Sequence, residues 1–240
     1  MTDSISFTPE PEGYPFLEEA TLIRLEGREF QVGTGRYRLD RLVSEKVYRP
    51  YTERRAVFHA TKLNDQQQQQ VVVKFFIHQH PVLKRGCEAS RLFGDIAQPA
   101  FEWEVQALEA ARGLNGFPQL LNWESTVQST EFENPGGRMN LIAMTRLPGF
   151  PLSFYTDDLR EPSRIKPIKA RVVELVEALR LHGQEYTEGD PDKIIYDRGT
   201  GKIGICCLGR SVAIRSATEQ NDPITEDSAV IEEFGLNIWY

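Results

Sequence analysis

The run Val71-Val-Val-Lys-Phe-Phe-Ile77 is typical of a buried β-strand. β-branched and aromatic residues favour an extended backbone because their side chains pack well on a pleated, half-buried surface. Lys74 is the one charged residue in this run. Either its ammonium lines a pocket, or its stem packs among apolar neighbours while the ammonium reaches water. The apolar character of the strand favours the pocket.

Shorter apolar or alternating segments predict further strands on both sides of this run. They are a hairpin of Leu22–Leu25 with Glu29–Val32, then Tyr37–Val43, Ala56–Leu63, Phe117–Trp123 and Leu141–Met144. The five glutamines Gln66–Gln70 lie between two of these strands and indicate a variable hairpin tip. Gly33 and Gly35 are interpreted as parts of an ordinary turn.

Apolar residues that recur every three to four positions predict helices. One is expected over Pro99–Gly113, and a second contains the stripe Ile168, Val172, Leu175, Val176 and Leu179. A closing helix is predicted within Glu226–Trp239. Before it, the short strands Ile194–Tyr196 and Lys202–Cys206 are expected to flank a turn.

The composition is that of an ordinary globular protein. The 240 residues, 40% of them apolar and 26% charged, are enough to bury a substantial core. A net charge of -7 disfavours a broad surface for nucleic acid or anionic membrane. The chain shows neither a secretory signal nor the roughly 18 apolar residues of a membrane span. Three cysteines, two of them adjacent, indicate neither a disulfide framework nor a zinc site. We therefore expect a cytoplasmic protein, with the nucleus as the alternative address.

The order of these elements resembles the eukaryotic protein kinase fold. Val72-Val-Lys74 is similar to the strand whose lysine binds the α- and β-phosphates of ATP in that family. The segment Phe101–Leu108 is similar to the helix whose glutamate, here Glu104, pairs with that lysine. Ile142–Gly149 resembles the strand and hinge of small fungal kinase-like proteins.

The resemblance implies an α+β, bilobal protein-kinase-like fold. Its five-stranded N-lobe would carry one helix, and its abbreviated C-lobe would be mainly helical. The implied division is a loose lead-in over residues 1–18, an N-lobe with an extra hairpin over 19–146, and a shortened C-lobe over 147–240. Such a short C-lobe is either native or the product of a truncated gene.

The segment 186–197 resembles a kinase catalytic loop whose functional residues are replaced. Glu188 stands where the family has its catalytic aspartate, and Lys193 where it has a metal-binding asparagine. Cys207 stands at the position of the second metal-binding aspartate. A cation and a thiol at these two positions disfavour Mg²⁺, which prefers hard oxygen ligands. The segment 44–55, at the position of the glycine-rich loop, contains no glycine.

These replacements predict a pseudokinase that binds or scaffolds a protein partner. ATP is a possible ligand of Lys74 and Glu104, with Lys193 neutralising phosphate charge in place of a metal, and no metal site is expected. The alternative is an active atypical kinase, of the serine/threonine type or acting on a small molecule, that uses Glu188. A third interpretation is a degenerate fragment without a stable fold.

Several residues near this loop have competing interpretations. A second alignment makes Gly189-Asp190 the catalytic pair, but it places an apolar residue at the asparagine position. Cys206 and Cys207 are either a redox or soft-metal site or small buried hydrophobic residues. The acidic residues Glu185, Glu188, Asp190 and Asp192 are either a cation site or a solvated loop.

Overall fold

The computed structural model describes residues 22–48, 53–63, 68–78, 97–155, 161–214 and 222–236. The predicted lead-in over residues 1–18 lies outside these ranges. So do residues 49–52 of the segment without glycine, two of the five glutamines and Cys87.

Six strands form the main sheet, and every neighbouring pair is antiparallel. They are β1 (Glu29–Val32), β2 (Gly35–Tyr48), β3 (Glu53–Lys62), β4 (Gln70–His78), β5 (Leu120–Val127) and β6 (Arg138–Thr145). Their order across the sheet is β1-β2-β3-β4-β6-β5. The predicted strands from Tyr37 to Met144 are confirmed, but the first arm of the predicted hairpin is wrong, because Leu22–Leu25 forms a 3₁₀ helix.

The main sheet curls until its first and last strands nearly meet. At the turn between β1 and β2, the Gly33 amide donates to Glu124 of β5 over 2.9 Å. Asn122 of β5 donates to the Tyr37 hydroxyl over 2.7 Å. Gly33 has φ +55°, which is typical of tight hairpin turns, so the predicted ordinary turn is confirmed. The result is a barrel-like sheet with a buried interior.

Strand β4 is apolar apart from Lys74 and the residues at its two ends, and both of its faces are buried. Side chains alternate between the faces of a strand. Val71, Val73, Phe75 and Ile77 therefore enter the core inside the curled sheet. Phe76 enters a second core on the outer face, and Lys74 points to the same side.

Three α-helices lie within the described residues: α1 (Ala97–Ala110), α2 (Pro162–Leu181) and α3 (Ala229–Glu233). Helices α1 and α2 confirm the predicted periodic segments, and their apolar stripes are buried. Helix α3 is much shorter than the predicted closing helix, of which residues 237–239 lie outside the described part. None of the helices described has both the length and the apolar character needed to cross a membrane.

The residues after 147 contain short strands as well as the helices α2 and α3. They form five strands: β7 (Phe150–Pro151), β8 (Gln184–Tyr186), β9 (Ile194–Asp197), β10 (Lys202–Ile205) and β11 (Ser211–Ala213). The strands β10-β9-β7 make one small antiparallel sheet, and β11-β8 make another.

The expected bilobal protein-kinase-like fold with a mainly helical C-lobe is therefore wrong. Among the residues that the structure describes, 40% lie in strands and 26% in helices, and the antiparallel six-stranded sheet is nearly closed. Strands β9 and β10 confirm the two short strands predicted at Ile194–Tyr196 and Lys202–Cys206. The bilobal expectation came from the resemblance, and the closing of the main sheet has no signal in local periodicity because it depends on pairing between distant strands. The outer core contains Phe76 and Phe101 together with Leu175 and Phe234, and so it joins residues from both sides of position 147.

His59 makes the stability of the sheet sensitive to acid. Burial in β3 lowers its pKa from 6.5 to about 4, and the positive charges of Arg146 and Arg41 act in the same direction against Asp40. The folded state thus holds a neutral histidine that the unfolded chain protonates near pH 6.5. Its contribution to stability is complete above pH 6.5 and is lost as the pH falls from 6.5 towards 4.

We therefore expect His59→Gln to flatten the pH dependence of the unfolding free energy between pH 4 and pH 6.5. Glutamine keeps a polar side chain of similar size but cannot take up a proton. Urea denaturation at a series of pH values measures the slope. The same slope in the variant and the unchanged protein would contradict the assignment.

Candidate functional site

A buried ion pair joins the main sheet to helix α1. Lys74 of β4 contacts the Oε2 atom of Glu104 through its Nζ atom, and the two residues are 7% and 1% exposed. Strand β4 lies between β3 and β6, with Lys74 opposite Val57 and Ile142. Glu104 lies on the α1 face that packs against the outer core. The pair that the resemblance implied is therefore present as a contact.

The pair keeps Lys74 charged. Burial by itself lowers the pKa of Lys74, but the negative charges of Glu104 and Cys207 outweigh that effect, and the pKa is raised. Gly209 allows the chain after Cys207 to approach, because a Cβ atom there would lie 2.9 Å from the Glu104 Oε2 atom. The loop 206–209 thus closes one side of the ion pair.

A second ion pair, Glu53 with Arg55 on β3, lies beside the first. The Arg55 Nε atom is 2.5 Å from the Glu53 Oε1 atom. The Phe76 ring contacts both cations, with its centroid 5.4 Å from the Arg55 guanidinium and 5.1 Å from the Lys74 ammonium. Burial raises the pKa of Glu53, while the charges of Arg55 and Lys74 oppose that rise. The site therefore contains two basic and two acidic side chains around one aromatic ring.

Cys206 and Cys207 border this cluster as a pair of thiols. Their sulfur atoms are 3.7 Å apart, and the Cys206 thiol donates to Cys207. That hydrogen bond and the positive charges of Lys74 and Lys193 lower the pKa of Cys207 to about 7 against the effect of burial. The same hydrogen bond raises the pKa of Cys206. Cys207 is therefore the thiol of the pair that loses its proton more readily.

Glu188 and Lys193 lie on the outer side of the thiols and contact each other. The Lys193 ammonium donates to the Glu188 carbonyl over 3.0 Å and lies 3.7 Å from its carboxylate. The Arg210 Nε atom is 2.8 Å from the same carboxylate. The Lys193 carbonyl also accepts from the Cys206 amide over 2.9 Å, which ties this group to the thiol pair.

The structure thus brings Lys74, Glu104, Lys193 and Cys207 into one region, and Glu188 reaches it through Lys193. Asp190, the alternative catalytic residue, instead accepts from the Asp192 amide over 2.8 Å as the cap of a 3₁₀ turn. Across the described part of the chain, no three His, Cys, Asp or Glu side chains are grouped so that they could hold a metal ion.

Three charged members of the site were not predicted from the sequence: Glu53, Arg55 and Arg210. A signal for the first two existed, since residues two apart on a strand share a face and these two carry opposite charges. No comparable signal marked Arg210, which reaches Glu188 across 22 positions only because β8 and β11 pair.

Comparison of the chain with protein-family models and with curated protein sequences finds no match.

Proposed function

We propose that this protein binds a phosphate-bearing ligand, with ATP as the leading candidate, at Lys74 and Lys193 without transferring a phosphoryl group. The observation that carries the proposal is the charged Lys74 ammonium held in the interior by Glu104. A buried ion pair is seldom the most stable filling for a core, because apolar residues of similar volume avoid the desolvation penalty. Groups with perturbed pKa values also concentrate at functional sites.

Two cations favour a phosphate ligand over a neutral one. A lysine ammonium is a compact charge with three donors, which suits phosphate oxygens. The side chain of Lys193 is 17% exposed. Its positive charge lies close enough to Cys207 to lower the pKa of that thiol. Lys74 and Lys193 together can neutralise charge on a ligand, so binding is expected without a divalent metal.

The surroundings of Glu188 argue against phosphoryl transfer. A general base must be free to accept a proton from the attacking hydroxyl. The Glu188 carboxylate is instead engaged by the Arg210 Nε atom at 2.8 Å and approached by the Lys193 ammonium at 3.7 Å. Cys207 presents a thiol, which is a poor ligand for Mg²⁺.

We also propose that the protein binds a protein partner in the cytoplasm or nucleus. Phe150 and Phe154 support it, because their side chains are exposed and their ring centroids lie 6.4 Å apart. Exposed aromatic residues are enriched at protein–protein interfaces. The net charge of -7 gives no support to a nucleic-acid partner.

A thermal-shift titration with ATP and ADP, in Mg²⁺ and in EDTA, tests the ligand proposal. We expect stabilisation that persists in EDTA and reaches about 2.7 kcal/mol at a hundredfold excess of ligand over Kd. The double variant Lys74→Met/Glu104→Leu should lose the shift, because it removes the cation without leaving a buried carboxylate. Lys166→Met, on an exposed position of α2, is the matched control and should keep it.

A well-folded protein that shows no shift with either nucleotide would overturn the ligand proposal, as would an equal shift in the double variant. A shift that requires Mg²⁺ and is accompanied by phosphate transfer would instead favour the active phosphotransferase.

A further inference from the structure

The adjacent thiols Cys206 and Cys207 have a geometry that packing alone does not explain. Cys207 has φ +61°, in the left-handed region that residues with a side chain rarely adopt. A strained backbone of this kind persists when surrounding contacts impose it, and such residues cluster at functional sites. Here the strained residue carries a thiol whose sulfur lies 3.7 Å from that of its neighbour.

We propose that Cys206 and Cys207 form a site of reversible oxidation by hydroperoxides, in which Cys207 is the attacking thiolate and Cys206 the resolving thiol. The two residues have different environments, which suits different roles. Cys206 donates a hydrogen bond to Cys207, and Lys74 and Lys193 place positive charge near the Cys207 sulfur. Nucleophilic cysteines are found in electropositive, partly exposed surroundings of this kind, and both residues are partly exposed.

The chemistry balances with one molecule of hydrogen peroxide. The Cys207 thiolate attacks one peroxide oxygen, the O–O bond breaks, and the departing hydroxide takes a proton to leave water and a sulfenic acid. The Cys206 thiol then attacks the sulfenic sulfur, forming the S–S bond and releasing a second water. The two thiols are oxidised by two electrons, and peroxide is reduced to two molecules of water.

The resulting disulfide would be easily reduced. Consecutive Cα atoms are about 3.8 Å apart, whereas disulfides ordinarily join Cα atoms about 4.4–6.8 Å apart. A disulfide in this short ring is strained, and strained disulfides have the higher reduction potentials of labile, regulatory bonds. The geometry therefore points to a reversible modification rather than to a structural cross-link.

Peroxide treatment of the folded full chain, followed by peptide mass spectrometry, tests the proposal. We expect the peptide with Cys206 and Cys207 to lose about 2 Da, the mass of two hydrogen atoms, and to regain it with dithiothreitol. A Cys87→Ser background excludes pairing with the third cysteine. In Cys206→Ser the reaction should stop at a sulfenic acid that dimedone traps. Cys206→Ala, which removes the donor, should also react more slowly near pH 7, because it lacks the hydrogen bond that lowers the pKa of Cys207.

In Cys207→Ser we expect the rate of peroxide reaction at pH 7 to fall on the order of tenfold, since the remaining thiol is mostly protonated. The proposal is overturned if Cys206 and Cys207 stay reduced at peroxide concentrations that oxidise the urea-unfolded chain. It is also overturned if Cys207→Ser reacts as fast as the unchanged protein. Neither measurement requires a nucleotide. A failure of the oxidation proposal can therefore be distinguished from a failure of the proposed ATP binding.

Discussion

Replacing Lys74 by methionine is expected to lower the free energy of unfolding by about 3–5 kcal/mol, because it leaves the Glu104 carboxylate buried without its counter-charge. The Glu104 Oε1 atom accepts no hydrogen bond from the described residues, so the contact of Oε2 with Lys74 is what stabilises the buried carboxylate. Urea denaturation with linear extrapolation measures the loss.

The double variant Lys74→Met/Glu104→Leu is the decisive comparison for this loss. Replacing a whole buried ion pair by apolar residues is often neutral or stabilising. We therefore expect the double variant to recover most of the stability that Lys74→Met loses. Lys166→Met, which makes the same chemical change on an exposed part of α2, should alter stability by less than about 0.5 kcal/mol. A Lys74→Met variant as stable as this control would show that the ion pair is not buried in solution.

Replacing Phe234 by alanine is expected to cost about 3–5 kcal/mol of unfolding free energy. Phe234 follows α3 and is 0% exposed, and its ring stacks on Tyr186 of β8 with centroids 5.6 Å apart. The substitution would leave a cavity at the point where α3 packs against the outer core. Because Tyr186 precedes the Glu188 loop, loosening this contact should also loosen the support of that loop.

Phe154→Ala provides the matched control for Phe234→Ala, since Phe154 is 74% exposed. Exposed substitutions usually change stability by less than about 0.5 kcal/mol. Denaturant midpoints of both variants, measured under the same conditions, separate the two expectations. Equal midpoints would contradict the packing of α3 and Phe234 into the outer core.

Long elements with a regular pattern were predicted from the sequence, whereas elements of only a few residues were often misassigned or missed. The strand at Val71–Ile77 and the helix containing Leu175 were predictable, because their patterns arise from neighbouring residues on a regular backbone. Leu22–Leu25 was misassigned, since four residues are too few to separate a strand from a 3₁₀ turn. After residue 147 the strands β9 and β10 were predicted, whereas β7, β8 and β11 were missed, since strands of two or three residues show no period.

Five members of the candidate site were predicted from the sequence, but three others and most of the contacts between members were not. Lys74 and Glu104 were paired through a resemblance, and their contact is present, but their ligand-binding role stays a prediction. Nothing in the sequence indicated that Arg210 would engage Glu188, or that Cys207 would adopt a left-handed backbone. These features depend on contacts between loops that are distant in the sequence. Local patterns in a single sequence do not indicate such contacts.

Local periodicity therefore specified most of the longer strands and helices, together with the burial of β4, because each signal is contained within one segment. The curling of the sheet depends instead on contacts such as Gly33 with Glu124, which are 91 positions apart. The gathering of Lys74, Glu104 and Cys207 likewise depends on three separate elements packing together. Such contacts form only when the chain folds as a whole, because their energy comes from burial and charge shared between distant segments.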